Sequence, residues 1–355
     1  MIRMHYRLAA FALAVALIAL SYLGTNARAQ GQAGGGSLTN DAIGGAALIF
    51  RRPDNPPLHT GQNSSAGAAG GGRTSSGRTK VRVAATAAEA HEKVIAKGNA
   101  ARNAPTPRYS EAEQQYKLAA TQDPTDARAH AGLGNVYLDQ RRFNDAVVAY
   151  RQSLKLNPKY VQVYQPLAFS LVQLGRYPEA IDTLNQALQY DPNSAEVYNN
   201  LAFSYVHAGQ FTEAIAACQQ AIALLGKTGE AYKQELQVRN DVLSNAYKNL
   251  GNAHNELKQY NEAADALKHA TEIEPKNAAA HFNYGLALYN GGRYSEAIEA
   301  YKAVIQLKPQ LAGAHYNLAL AYVAINDHEG VRREYEILKP LNAGMAEQLK
   351  GLIKR

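Results

Sequence analysis

Apolar positions recur with helical spacing over most of the chain. Counting from Ala127, Val161, Ala195, Ser244, Ala278 and Ala312, places four, seven, eight and eleven of each stretch lie on one face at i, i+3, i+4 and i+7. The eighth place is always small: Gly134, Ala168, Ala202, Gly251, Gly285 and Ala319. The pattern predicts a helix whose small residue lets a second helix approach closely. That second helix follows a turn closed by Phe143, Tyr177, Phe211, Tyr260 or Tyr294. Asn144, Thr212, Asn261 and Ser295 come next and are expected to cap it. Pro124, Pro158, Pro192, Pro275 and Pro309 stop it, since proline lacks the N–H a helix needs. Asp126, Ser194 and Asn277 are then placed to cap the following helix.

The pair of helices repeats. Pro124, Pro158 and Pro192 lie 34 residues apart, as do Pro275 and Pro309, and one insertion of 15 residues accounts for the break between Ala214 and Ala263. Tyr198-Asn-Asn-Leu201-Ala202-Phe-Ser-Tyr205 followed by Gly209-Gln-Phe211-Thr-Glu-Ala214-Ile closely resembles a unit of the tetratricopeptide repeat (TPR) superfamily. The resemblance implies an all-α fold: a right-handed α-solenoid of about seven TPR hairpins plus a C-terminal capping helix. The units read as about 91–126, 127–160, 161–194, 195–228, 244–277, 278–311 and 312–341, an array bounded at 89 and 341. The first has two extra residues around Pro105 and Pro107, and the last is degraded at His328 and Val331. The insertion, 229–243, is expected to extend the first helix of unit five by three to four turns, and 342–355 to cap the array.

The first 29 residues break the pattern. Arg3 and Arg7 precede an apolar run from Leu8 to Leu20, and Ala27-Arg28-Ala29 puts small residues where a signal peptidase cuts. This reads as an export signal, with the protein periplasmic or secreted. The run is short for a bilayer span, so no membrane segment is expected after cleavage. Residues 30–88 are rich in Gly, Ala, Ser and Pro and read as a disordered linker, with one apolar patch at Ile43–Phe50. Gly72 to Thr79 has the spacing of a phosphate-binding loop, but no strand precedes it and the composition produces such spacing by chance.

The net charge of +7 does not point to nucleic acid. The excess lies before residue 89; the repeats carry 28 basic and 28 acidic residues, with no basic footprint for a phosphate backbone. The single cysteine, Cys218, permits no internal disulfide and reads as a small buried apolar residue. His130, His281 and His315 share the fourth place, but equivalent places sit about 8–10 Å apart, too far to share an ion, so packing is expected of them. No catalytic set, metal site or cofactor is expected.

Places two, five, six, nine, twelve and thirteen remain for the other face of the first helix. In the TPR family this face lines a concave groove. Here the sixth place holds Asn200, Asn249, Asn283 and Asn317; the ninth holds Asn135 and Asn252. Arg128, Lys248, Asn255, His207 and Tyr289 complete the candidate groove. Asn offers two donors and an acceptor, which suits a backbone peptide group whatever its side chain. The row is similar to the asparagine ladder of O-linked N-acetylglucosamine transferases. Gly132 and Pro166 interrupt it in units two and three. Lys248 and Asn252 match part of a clamp for acidic C-termini, but Ala279 and Asn283 stand where basic residues belong, so that clamp is not expected. The expected function is an extracytoplasmic scaffold, not an enzyme, gripping a peptide segment or helix of a partner protein. The alternative is a self-assembling structural envelope protein.

Overall fold

The computed structural model describes residues 75–226 and 233–353, with side chains over 87–226 and 237–351. The leader, the linker up to residue 74, Ile43–Phe50 and residues 229–232 of the insertion lie outside the described residues. In chain order the helices are α1 (Ser75–Arg102), α2 (Tyr109–Gln122), α3 (Ala127–Asp139), α4 (Phe143–Leu156), α5 (Tyr164–Gln173), α6 (Tyr177–Tyr190), α7 (Ala195–His207) and α8 (Phe211–Gly226). They continue with α9 (Lys233–Glu256), α10 (Tyr260–Ile273), α11 (Ala278–Asn290), α12 (Tyr294–Leu307), α13 (Ala312–Ala324), α14 (His328–Leu341) and α15 (Ala343–Ile353). Each packs on the next, and the described residues contain no strand. The architecture is a right-handed α-solenoid of seven hairpins, α1/α2 to α13/α14, closed by α15.

Local chemistry sets the boundaries. Asp123, Asn157, Asp191, Glu274 and Lys308 end the second helices with φ between −139 and −123° and ψ between 77 and 93°. Each precedes a proline, whose ring pushes the residue before it out of helical space. Asp126, Ser194 and Asn277 accept from the backbone N–H of Arg128, Val197 and Ala280 and so cap α3, α7 and α11. The second helices start two residues earlier than expected. Their aromatic is the first helical residue, so Asn144, Asn261 and Ser295 fall inside the first turn and do not cap. The cap residues of α4, α6 and α12 are Arg142, Arg176 and Arg293, which pair instead with Asp145, Glu179 and Glu296 three residues on.

Pro166 shifts one first helix. Residues Val161–Val163 form a 3-10 turn and the α-helix begins at Tyr164, placing Pro166 in the first turn where its missing N–H costs nothing. The close approach predicted at the eighth place is present. A Cβ added to Gly134 would lie 2.4 Å from Tyr150 Cε1, and one on Gly285 would lie 2.7 Å from Tyr301 Cε1.

First helices of successive units also touch, in the pairs α1–α3, α3–α5, α7–α9, α9–α11 and α11–α13, and they form a common wall. The buried apolar residues fall into three clusters, spanning Val94–Ala149, Ala127–Cys218 and Ala263–Leu349. Between the last two stands α9, whose buried positions apart from Val242 are small or polar, among them Ser244, Ala246, Lys248, Asn249 and Ala253.

One boundary differs from expectation and one agrees with it. Residues 75–88 are helical and belong to α1 rather than to the linker, because the glycine-rich run ends near Gly77 and an alanine-rich stretch of strong helix formers follows. The insertion lengthens α9 to 24 residues where α7 and α11 have 13.

Candidate functional site

The wall is built from residues that the repeat places side by side, but most of its asparagines are spent holding helices together. Asn200, Asn249 and Asn283 are 3, 0 and 4% exposed. Asn200 Nδ2 donates to Gln165 Oε1 at 3.4 Å, and Asn249 Nδ2 to Asn199 Oδ1 at 3.0 Å. In both, the sixth place of one first helix reaches the fifth place of the first helix before it. Asn135, 3% exposed, accepts from the hydroxyl of the fully buried Tyr150 at 2.8 Å, a tie within one hairpin.

The free-row expectation is therefore corrected for Asn135, Asn200 and Asn249. Asn200 and Asn249 face the first helix before them, and Asn135 faces the second helix of its own hairpin. Lys248 is likewise buried, not presented on the wall. Arg128 is buried too: its Nη2 lies 2.6 Å from Glu92 Oε1 and 2.7 Å from Asp126 Oδ2. It lines a cleft of about 920 Å3 beside His91, Glu92, Asp126 and Tyr160, where units one to three turn.

Further along the wall the amides are not all satisfied. Asn283 Nδ2 donates to Asn252 Oδ1 at 3.0 Å, tying α11 to α9. Asn283 Oδ1 and Asn252 Nδ2 are buried and without a partner. Turning both amides over exchanges their roles and still leaves one donor beside one acceptor. Asn290 Nδ2 donates to Asn255 Oδ1 at 3.2 Å, making a second bridge between the same helices. Asn317 is half-buried and makes no side-chain hydrogen bond. Around them stand the half-buried Leu286, Tyr289 and Val323. Tyr289 packs edge-on against Tyr294, and burial raises its hydroxyl pKa to about 12. In the other half of the array, His207 stacks on Tyr177 and lies 4.3 Å from Phe203, and this burial lowers its pKa.

The remaining polar residues are structural. His281 Nε2 and His315 Nε2 donate to the carbonyls of Pro275 and Pro309 at 3.0 and 2.8 Å. Tyr164, at the same place, bonds Pro158 O in the same way. In units three, six and seven the fourth place thus fastens the first helix to the proline turn before it. His315 Nδ1 also meets the buried Glu334 at 2.6 Å. Cys218 is fully buried in the central cluster, which pushes its thiol pKa up.

Two ionic ties between α1 and α3 were not read from the sequence: Arg128 with Glu92, and the buried Arg102 with Asp139 at 2.8 Å. Their signal was opposite charge at nearly one repeat spacing. Asn199 was missed for another reason, since the fifth place was assigned to the open face.

Stacked helical hairpins with a wall of first helices define a class of repeat proteins that serve as protein–protein interaction scaffolds. The chain is a tetratricopeptide repeat protein. Its residues 116–232 match the family model described as the cytochrome c-type biogenesis protein H TPR domain. Tetratricopeptide repeat models match 193–276 and 255–299, and a TPR repeat model matches 285–326. No curated protein matches the chain.

Among solved structures, a tetratricopeptide repeat protein from Parabacteroides merdae is 15% identical with a TM-score of 0.53, over 75% of this chain and 100% of that one. The pilF protein of Pseudomonas aeruginosa is 18% identical with a TM-score of 0.51, over 64% and 98%. YrrB, described as a TPR protein with an unusual peptide-binding site, is 22% identical with a TM-score of 0.46, over 58% and 100%. At these identities the likeness is one of fold. Among the described residues no helix is long and apolar enough to cross a membrane.

Proposed function

We propose that the chain is a non-catalytic, extracytoplasmic scaffold that holds an extended segment of a partner protein on the wall of units five and six. The observation that carries this reading is the accessible lining of this wall, where the exposed Asn290 donates to Asn255 beside the half-buried Leu286 and Tyr289. An amide keeps further donors and acceptors after one such bond, and a backbone peptide group, with its N–H and its carbonyl, complements both. Export is supported by the leader, with Arg3 and Arg7 before an apolar run and Ala27 and Ala29 at its end.

A photo-crosslinking side chain at Leu286, introduced in the native cells, tests both parts. The expected result is a crosslinked partner protein in the extracytoplasmic fraction. The same probe at Val148, which is 69% exposed on α4 away from the wall, serves as control. Identical crosslinks from the two sites would remove the wall from the proposal, and a cytosolic adduct would remove the location.

A further inference from the structure

The wall of the first five units is buried where an empty groove would leave it wet. Arg102, Asn135, Val172, Asn199, Phe203 and Lys248 stand at wall places and are between 0 and 9% exposed. Packing between first helices accounts for part of this, since Arg102 meets Asp139 and Asn199 meets Asn249. It does not account for Lys248, which is engaged by a group that none of the described residues provides. Lysine is almost never buried without such a partner. Asn99, Arg102, Asn135, Phe169 and Glu196 likewise have an interaction beyond those with described residues. These residues lie on α1, α3, α5, α7 and α9, and no described wall residue of α11 or α13 has one of this kind. A cover of mixed chemistry therefore runs from unit one to unit five.

The chain carries a segment that fits. The compact unit holding the array begins at Ala42, well ahead of α1. Ile43–Phe50 is uncharged, Arg51, Arg52 and Asp54 follow, and Pro53, Pro56 and Pro57 favour an extended backbone. The middle of the wall matches the apolar stretch with Pro166, Phe169, Val172 and Phe203, and Glu196 and Lys248 offer both signs of charge toward unit five. Seventeen residues separate Leu58 from Ser75. Extended, they reach roughly 55–60 Å, enough to return along five first helices spaced about 10 Å apart. We propose that residues 43–58 of the chain itself occupy the wall of units one to five. The seat proposed for a partner, around Asn255, Leu286 and Asn290, begins where this cover ends, and the two readings stand or fall separately.

A photoreactive benzoylphenylalanine in place of Phe169, in the purified full chain, tests the proposal. Irradiation followed by peptide mapping should join residue 169 to residues 43–58 of the same chain, with a yield that does not fall on dilution. A mixture of isotope-labelled and unlabelled chains should give no mixed pairs. Mixed pairs would make a second copy the occupant, and adducts confined to the helices of the array would leave the wall empty; either result overturns the proposal. A fluorescent synthetic peptide of residues 43–58 is the second probe. It should bind a full chain carrying Leu48→Ser, Ile49→Ser and Phe50→Ser about tenfold more tightly than the unaltered chain, because a tethered occupant competes at an effective concentration in the millimolar range. Equal affinity for the two chains, or binding to neither, overturns the proposal whatever happens at Leu286.

Discussion

At the scale of single residues, the small eighth place and the aromatic facing it set the distance between helices. Tyr150 fills the space above Gly134 and bonds Asn135 from the same position. Alanine at 134 would gain up to about 1 kcal/mol of helix propensity, but its methyl meets a fully buried ring, and overpacking of this kind costs about 1–3 kcal/mol. Gly134→Ala is expected to lower stability by about 1–2 kcal/mol, read as a drop in the urea midpoint. The small place was legible because steric exclusion leaves Gly or Ala in every unit. The fate of the sixth-place asparagines was not legible, since a polar residue on a helix face looks the same whether it meets solvent or a neighbour's amide.

At the scale of the helix, two kinds of start alternate. The first helices α3, α7 and α11 use a side-chain cap; the second helices α4, α6 and α12 use an arginine that pairs with an acid at the third helical position. Asn277 accepts from Ala280 N at 3.2 Å and donates to Glu274 at 2.6 Å. Asn277→Ala should cost about 1 kcal/mol in thermal unfolding. Asn261→Ala should stay within about 0.5 kcal/mol, because Asn261 is exposed inside the first turn of α10. The opposite result would restore the capping role the sequence suggested for it. That expectation failed by two residues because Tyr260 itself adopts helical geometry, which puts the cap at Gln259.

At the scale of the molecule, the array is not uniform. The first unit is joined to the second by the charged groups Glu92, Arg128, Asp126 and His91 as well as by apolar packing. Burial alone would raise the Asp126 pKa, but hydrogen bonds from Arg128 and His91 outweigh it and hold the carboxyl below its usual range. A carboxyl depressed in the folded state stabilises above its unfolded value near 3.9, and that contribution is lost as pH falls through the folded value. Asp126→Asn should therefore destabilise the first unit by about 2–3 kcal/mol at pH 7, where it breaks a buried pair. The difference from wild type should shrink below about pH 3.5. Protection of α1 and α2 amides, corrected for intrinsic exchange, reads this directly. A gap between variant and wild type that does not change with pH would exclude the carboxylate as the source.

The sequence by itself determined the hairpin, its period, the number of units, the proline stops and the helical nature of the insertion. Each depends on spacing within about 34 residues of one another, and local sterics and helical periodicity act at that range. The tertiary structure alone decided which polar residues remained for a partner. Asn200 and Asn249 were absorbed by the helices before them, while Asn290 stayed exposed where it donates to Asn255. That outcome depends on how closely successive first helices approach and on the angle at which their side chains meet. Both are set by packing between units, which the order of residues within a unit does not record.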